Sequence, residues 1–294
     1  MLPIDRDSPA FGQWDLMHML RRLLPLTVSI VIAAGQPAAA GTFEVKGVDV
    51  DKGVTEVGVN SAFFRGFPVN AETVRSSIEI GASYGFSDWW KLGAKVNLNQ
   101  PVGGDLVAST AGIEGQVVLR KFDKGFGMGW YTGADFALRD DETNTLTFGP
   151  IVQFGTEKTS LTVNPLFART FGQNRSPGVD FTYAWGVKHE LREGFAVGIE
   201  GYGVIPNIGH SPGIDFQEHR IGPMIYLQRE LGGRGGTAVP AKGLSIKDMT
   251  APMTGGDAGK DAGGPKLNIE AGVLFGLTDG TQDIAFKLKG SITF

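Results

Sequence analysis

The residues of this chain best able to do chemistry are few, and their spacing argues against most of it. Once an N-terminal leader is set aside, three histidines remain: His189, His210 and His219. Serine catalysis needs a histidine within hydrogen-bond reach of the nucleophile and an acid behind the histidine. His210 and Ser211 are adjacent in a Gly/Pro loop, where sequence neighbours rarely point at one another, and no G-x-S-x-G elbow occurs. Asp49, Asp51 and Gly53 share the opening of a calcium loop, but the further oxygen ligands and the closing glutamate are missing. The run Gly232-Gly233-Arg234-Gly235-Gly236 follows a strand pattern, yet neither a helix nor an acidic ribose ligand comes after it, so it does not form a dinucleotide loop. Cysteine is absent, which removes disulfides, thiol catalysis and cysteine-bound metal together. The expectation is no catalytic residue, no metal and no cofactor.

What remains is patterned charge. Arg75, Glu79, Lys91, Lys95, Glu114, Arg120, Asp135, Arg139, Asp180, Lys188, Glu190, Glu200, Glu218, Arg220, Glu270, Lys287 and Lys289 all fall on the polar side of segments whose apolar and polar residues alternate. In a closed membrane sheet that side is the lumen, so these are candidate lumen-lining residues. Both signs are represented. They fit a hydrated pore with charged walls, and equally a narrow lumen closed by ion pairs. The net charge of -4, with no cluster of Lys and Arg, argues against a nucleic-acid partner.

The elements that must position these charges are strands. From Val57 the pattern has period two, as one apolar and one polar face require. The final segment is clearest: Ile284, Phe286, Leu288, Gly290, Ile292 and Phe294 share one face, and Asp283, Lys287, Lys289, Ser291 and Thr293 the other. The segment before it alternates likewise from Lys266 to Leu277, with Leu274 as its one misfit. The spacing predicts strands near 54–65, 73–85, 90–100, 106–121, 128–139, 145–155, 160–170, 179–190, 195–205, 216–229, 266–277 and 283–294, about twelve in all, an even number as bacterial barrels have. Pro, Gly, Asn and Asp gather between them, which makes a meander. The 44 glycines recur inside alternating segments, where a helix would be penalised for them. Aromatic residues collect toward strand ends, as in the belts at lipid interfaces; a soluble sandwich or lipocalin-like barrel would place its rings mid-strand. The fold class expected is therefore all-β, a transmembrane antiparallel up-and-down β-barrel in contact with outer-membrane lipid.

The N-terminus reads as an address. Arg21 and Arg22 precede an apolar run, Leu23 to Ala34, and an A-x-A site then precedes Gly41, which is the order of a signal peptide cleaved after Ala40. The run is too short for a helix across the roughly 30 Å hydrocarbon core, and no later segment approaches the roughly 18 apolar residues needed. Asp5, Asp7 and Asp15 make an unusual leader, and Met17 or Met19 would be a more ordinary start. The expected organisation is residues 1–40 as extension and signal, then 41–294 as the barrel. A low-complexity insert at 232–264 interrupts the barrel and cannot bury enough apolar surface to order itself. Strand parity puts this insert on the side of both termini, expected to be periplasmic; since periplasmic turns are short, either the count is off by one strand there or the insert is a periplasmic tether or plug.

The last strand, with Phe286, Leu288, Ile292 and Phe294 at every second position, resembles the terminal strand by which Gram-negative outer-membrane barrels are recognised. That resemblance implies the barrel-assembly machinery as a partner. The stretches Tyr84-Gly85-Phe86-Ser87-Asp88-Trp89-Trp90 and Phe275-Gly276-Leu277-Thr278-Asp279 resemble pieces of a transporter-like barrel family linked to meta-pathway phenol degradation, which implies passage of small organic molecules. The leading expectation is a non-enzymatic outer-membrane channel or transporter for small solutes, with passive passage through a charged lumen. A non-conducting structural or adhesion barrel comes second and a barrel hydrolase third.

Overall fold

The computed structural model describes residues 42–67, 74–123, 125–156, 158–231 and 264–294. The leader with its cleavage site, and the insert up to residue 263, lie outside the described residues.

Alternation along the chain becomes twelve strands: β1 (Thr55–Arg65), β2 (Val74–Ser87), β3 (Trp90–Pro101), β4 (Val107–Asp123), β5 (Phe126–Ala137), β6 (Asn144–Gly155), β7 (Thr159–Phe171), β8 (Asp180–Arg192), β9 (Phe195–Ile205), β10 (Glu218–Glu230), β11 (Lys266–Gly276) and β12 (Ile284–Thr293). Each pairs antiparallel with the next, and β12 closes on β1 with Glu56 opposite Thr293 and Arg65 opposite Ile284. Closure removes the unpaired N–H and C=O edges that an open sheet exposes and that lipid cannot satisfy. The seam extends one residue further, since the Phe294 N–H donates to the Thr55 carbonyl at 2.9 Å.

Thr55 and Phe294 mark one rim, here the near rim. The stretches of chain between strands there are short, 88–89, 124–125, 156–158 and 193–194, apart from 231–265; those between strands at the far rim are longer, 66–73, 102–106, 138–143, 172–179, 206–217 and 277–283. The tenth strand starts two residues later than its pattern suggested, because Ile214–Phe216 form a single 3-10 turn whose capping bonds run from Phe216 and Gln217 back to Gly213 and Ile214.

Side-chain parity separates the faces. On β12, Phe286 and Leu288 are 42% and 49% exposed, while Ala285 and Lys287, which alternate with them, are 1% and 2%. The outer face is thus apolar, with rings joined across strands. At the near rim Phe86 stacks on Trp90 and meets Tyr84 edge to face, and Phe148, Phe167, Phe181 and Tyr183 form a chain nearer the far rim. Tyr183 on β8 reaches over Gly203 on β9 to hydrogen-bond His219 on β10 at 2.7 Å, the three residues standing in register. A Cβ at Gly203 would run into the tyrosine ring.

Candidate functional site: the lumen and the segment that crosses it

The interior is not left to wall side chains alone. Residues 42–54 run inside the barrel from its far half down to the near rim before turning into β1. An extended segment inside a barrel has no strand beside it, so its backbone groups need other partners. Wall amides supply them. Asn164, fully buried, accepts from the Lys46 N–H at 2.7 Å and donates to the Lys46 carbonyl at 3.0 Å, reproducing the pair of bonds a neighbouring strand would make. Gln116 donates to the carbonyls of Gly47 (2.9 Å) and Val48 (2.8 Å), and Asn60 to that of Phe43 (3.1 Å). At the near rim the Phe122 N–H donates to Asp49, and the Gly53 N–H to the Gly85 carbonyl. A Cβ at Gly85 would collide with the carbonyl oxygen of Asp51, so a glycine is needed there for the segment to pass.

Apolar contacts fix the same path at two places. Phe43 lies among Ala62, Phe64, Ala184, Tyr202, Leu274 and Ala285, with ring centres 5.8 Å from Phe64 and 5.0 Å from Tyr202. The Arg220 guanidinium sits 4.7 Å from the Phe43 ring centre, a cation–π geometry. Val48 and Val50 pack on Val118, Tyr131 and Ile151. Leu274, the misfit of the β11 pattern, is thus a lumen residue covered by this segment. Charge adds a third tie: Glu44 pairs with Lys289 at 2.6 Å, and Lys46 with Glu114 at 3.3 Å and Glu44 at 2.5 Å.

Beside the segment a cavity of about 400 Å³ remains. Of the charged positions read from the sequence, Glu79, Lys91, Lys95, Glu114, Lys188, Glu200, Glu270 and Lys289 line it. Asp135 joins this set through Lys95, which lies 3.2 Å from Glu79 and 3.5 Å from Asp135. Lys287 is fully buried and held by Glu200 (2.8 Å), the Tyr202 hydroxyl (3.1 Å) and Glu270 (3.2 Å). Glu218 and Arg220 pair at 3.1 Å, and Gln282 accepts from the same guanidinium at 2.5 Å. Asp180 accepts from the Asn207 N–H and so anchors the loop between β9 and β10.

Four positions stand apart from this network, among them Glu190 close to the near rim, whose N–H donates to the Lys158 carbonyl. Arg75 and Arg120 are exposed toward opposite rims, Arg120 with its guanidinium 5.2 Å from the Phe126 ring centre. Arg139 lies beyond β5 in a far-rim loop, bonded to Asp141, whose carboxyl this hydrogen bond holds below the usual carboxylate range. Phe286, Leu288, Ile292 and Phe294 share the outer face of the last strand and its extension.

The histidines are spread out. His189 bonds Thr159, and His219 lies between Tyr183 and Gln217, so neither is oriented by a carboxylate. Among the described residues no group of three or more His, Asp or Glu side chains is arranged to hold a metal ion. What the arrangement can do is hold water and small polar molecules between fixed charges of both signs.

The lumen segment itself was not anticipated from the sequence. Its signal was indirect: Phe64, Val118, Ile151 and Leu274 are apolar residues on the polar face of their strands, and a polar lumen with apolar spots implies something apolar resting on them.

No curated protein matches the chain by sequence. Solved structures with a similar fold include an outer membrane channel, COG4313, from Pseudomonas putida F1, with TM-score 0.53 and 10% identity, covering 85% of this chain and all of that one. The KdgM porin covers 81% of this chain and 98% of its own at TM-score 0.44 and 10% identity. Omp33 of Acinetobacter baumannii covers 85% and 100% at TM-score 0.38 and 9% identity. The family described as outer membrane protein beta-barrel domain matches residues 26–222, two thirds of the chain. With a closed twelve-stranded sheet, an apolar outer face and this match, the chain belongs to the outer membrane protein beta-barrel domain family, and its barrel is a Gram-negative outer-membrane one.

Proposed function

We propose that this barrel is a channel through which small hydrophilic solutes diffuse across the outer membrane, without enzymatic turnover. The observation that carries the reading is the cavity, enclosed by a barrel wall and lined by Lys91, Lys188 and the paired carboxylates and lysines around them. Lys91 and Lys188 have no ion-pair partner among the described residues, so they can serve passing solute. A purely structural barrel could fill this volume with apolar side chains at less cost in desolvation. The Pseudomonas putida protein of similar fold is described as an outer membrane channel, in keeping with this reading.

The near rim is assigned to the periplasm, because such barrels keep short turns there and long loops outside. This places both ends of the barrel and the 232–264 insert on the periplasmic side, since β10 ends and β11 begins at the near rim. Cleavage after Ala40 and recognition of Phe286, Leu288, Ile292 and Phe294 by the assembly machinery complete the proposal. The test is planar-bilayer conductance of the refolded protein. Discrete steps are expected, and a silent bilayer at high protein loading, with the barrel shown to be inserted, would refute passage. On intact cells, protease cleavage near Lys260 would refute the orientation.

A further inference from the structure

The wall residues that grip residues 43–51 do so through backbone bonds, apolar seats and ion pairs at once, and that combination is what a protein uses to bind a peptide. Asn164 pairs with the backbone of Lys46 as a strand would, and Gln116 takes two carbonyls in succession. Phe43 occupies one apolar seat and Val48 with Val50 another. Glu44 and Lys46 match Lys289 and Glu114 in sign. The contacts involve β1 and every strand from β4 to β12, on different sides of the barrel, so the segment crosses the lumen rather than lining one wall.

We propose that residues 43–51 are an internal ligand of the lumen that sets the size limit of the channel, the barrel wall alone being wide enough to pass much larger solutes. The inference rests on the channel reading above and deepens it. Twelve strands about 4.8 Å apart, tilted by about 40°, give a backbone radius of about 12 Å. Inward side chains take about 5 to 6 Å of that, leaving a free cross-section on the order of 100–150 Å². An extended chain with its side chains fills about half of such an opening. Removing it should therefore raise conductance about twofold or more.

Unseating the segment leaves the wall untouched if the changes are made within the segment. In Val48→Asp/Val50→Asp, two fully buried valines become carboxylates facing Val118, Tyr131 and Ile151, so the segment leaves and the strands keep their sequence. The expected result is a conductance about twofold or more above the unaltered protein, and a raised size limit in swelling assays with neutral sugars of graded mass. A synthetic peptide of residues 42–52, added to the variant, should bring the current back down, which a barrel merely damaged by the substitutions would not show. Val48→Cys gives a second readout, because the chain has no cysteine of its own. The seated thiol should resist a small water-soluble thiol reagent, and Asn164→Ala should make it react faster.

The outcomes separate the two proposals. If the unaltered protein conducts, a folded variant that conducts equally and ignores the peptide overturns the internal ligand and leaves the channel standing. If the unaltered protein is silent and the variant conducts, the channel reading fails for the native barrel, and the size-limit inference is overturned in favour of a complete closure by the segment. If folded, inserted forms of both are silent, the channel reading fails and the inference with it. Immediate modification of Val48→Cys in the otherwise unaltered barrel also overturns the seat.

Discussion

Lys287 offers the sharpest test of how the lumen is built. Its ammonium is fully buried and meets two carboxylates and a hydroxyl, and one of those carboxylates, Glu200, is itself only 2% exposed. Replacing Lys287 by Met keeps the unbranched side chain and removes the charge. Glu270 is 27% exposed and can turn to water or toward Lys289 opposite it on β12. Glu200 has no such exit. It keeps the hydroxyl bonds from Tyr202 (2.5 Å) and Tyr226 (2.8 Å) but loses its counter-charge. Breaking a buried pair from one side costs about 3–5 kcal/mol, because an uncompensated charge is left behind. The two tyrosine bonds put Lys287→Met at the lower end, about 3 kcal/mol. The double variant Lys287→Met/Glu200→Gln removes both charges and should recover to within about 1–2 kcal/mol of the parent, since a neutral replacement of a buried pair is close to even. Guanidinium unfolding of barrels in lipid vesicles, followed by tryptophan emission, measures all three. A single variant within about 1 kcal/mol of the parent, or a double variant no better than the single, would refute the claim that Glu200 depends on this lysine.

Three further outcomes follow from particular contacts. Gly203→Val drives a side chain into the Tyr183 ring and breaks its bond to His219, and overpacking of this kind should cost about 1–3 kcal/mol in the same unfolding assay. Lys95→Gln leaves Glu79 and Asp135 without their shared cation, so the lumen becomes more negative. The reversal potential in a potassium chloride gradient should then move toward cation selectivity, and a shift toward anions would contradict the assigned wall. Arg139→Ala removes a charge that lies in the far-rim loop with Asp141 and away from the cavity, so single-channel conductance should be unchanged where Lys95→Gln alters selectivity.

Strands were legible here and the lumen was not, for a physical reason that particular residues make plain. Each strand carries its face assignment locally: Phe286, Lys287 and Leu288 are neighbours, and lipid on one side and water on the other leave only one way to orient them. Turn residues such as Asp88 and Gly194 mark the ends just as locally. The same local logic has no reason to seat an apolar side chain on the polar face, and so leaves Leu274 a misfit in the pattern. Its cause is Phe43, more than two hundred residues away in sequence, brought over it only when the barrel closes around residues 42–54. The ion pairs are hidden in the same way. Lys287 meets Glu200 because β9 and β12 are brought together through β10 and β11, with Tyr226 and Glu270 on the intervening strands completing the cluster. Period-two alternation states which residues enter the lumen; it holds no information on which of them will find one another there. An apolar residue on the polar face of a barrel strand is then a pointer to a partner within the lumen, and in this chain Phe64, Val118, Ile151 and Leu274 all pointed at a segment too short and too mixed in character to be recognised as structure by itself.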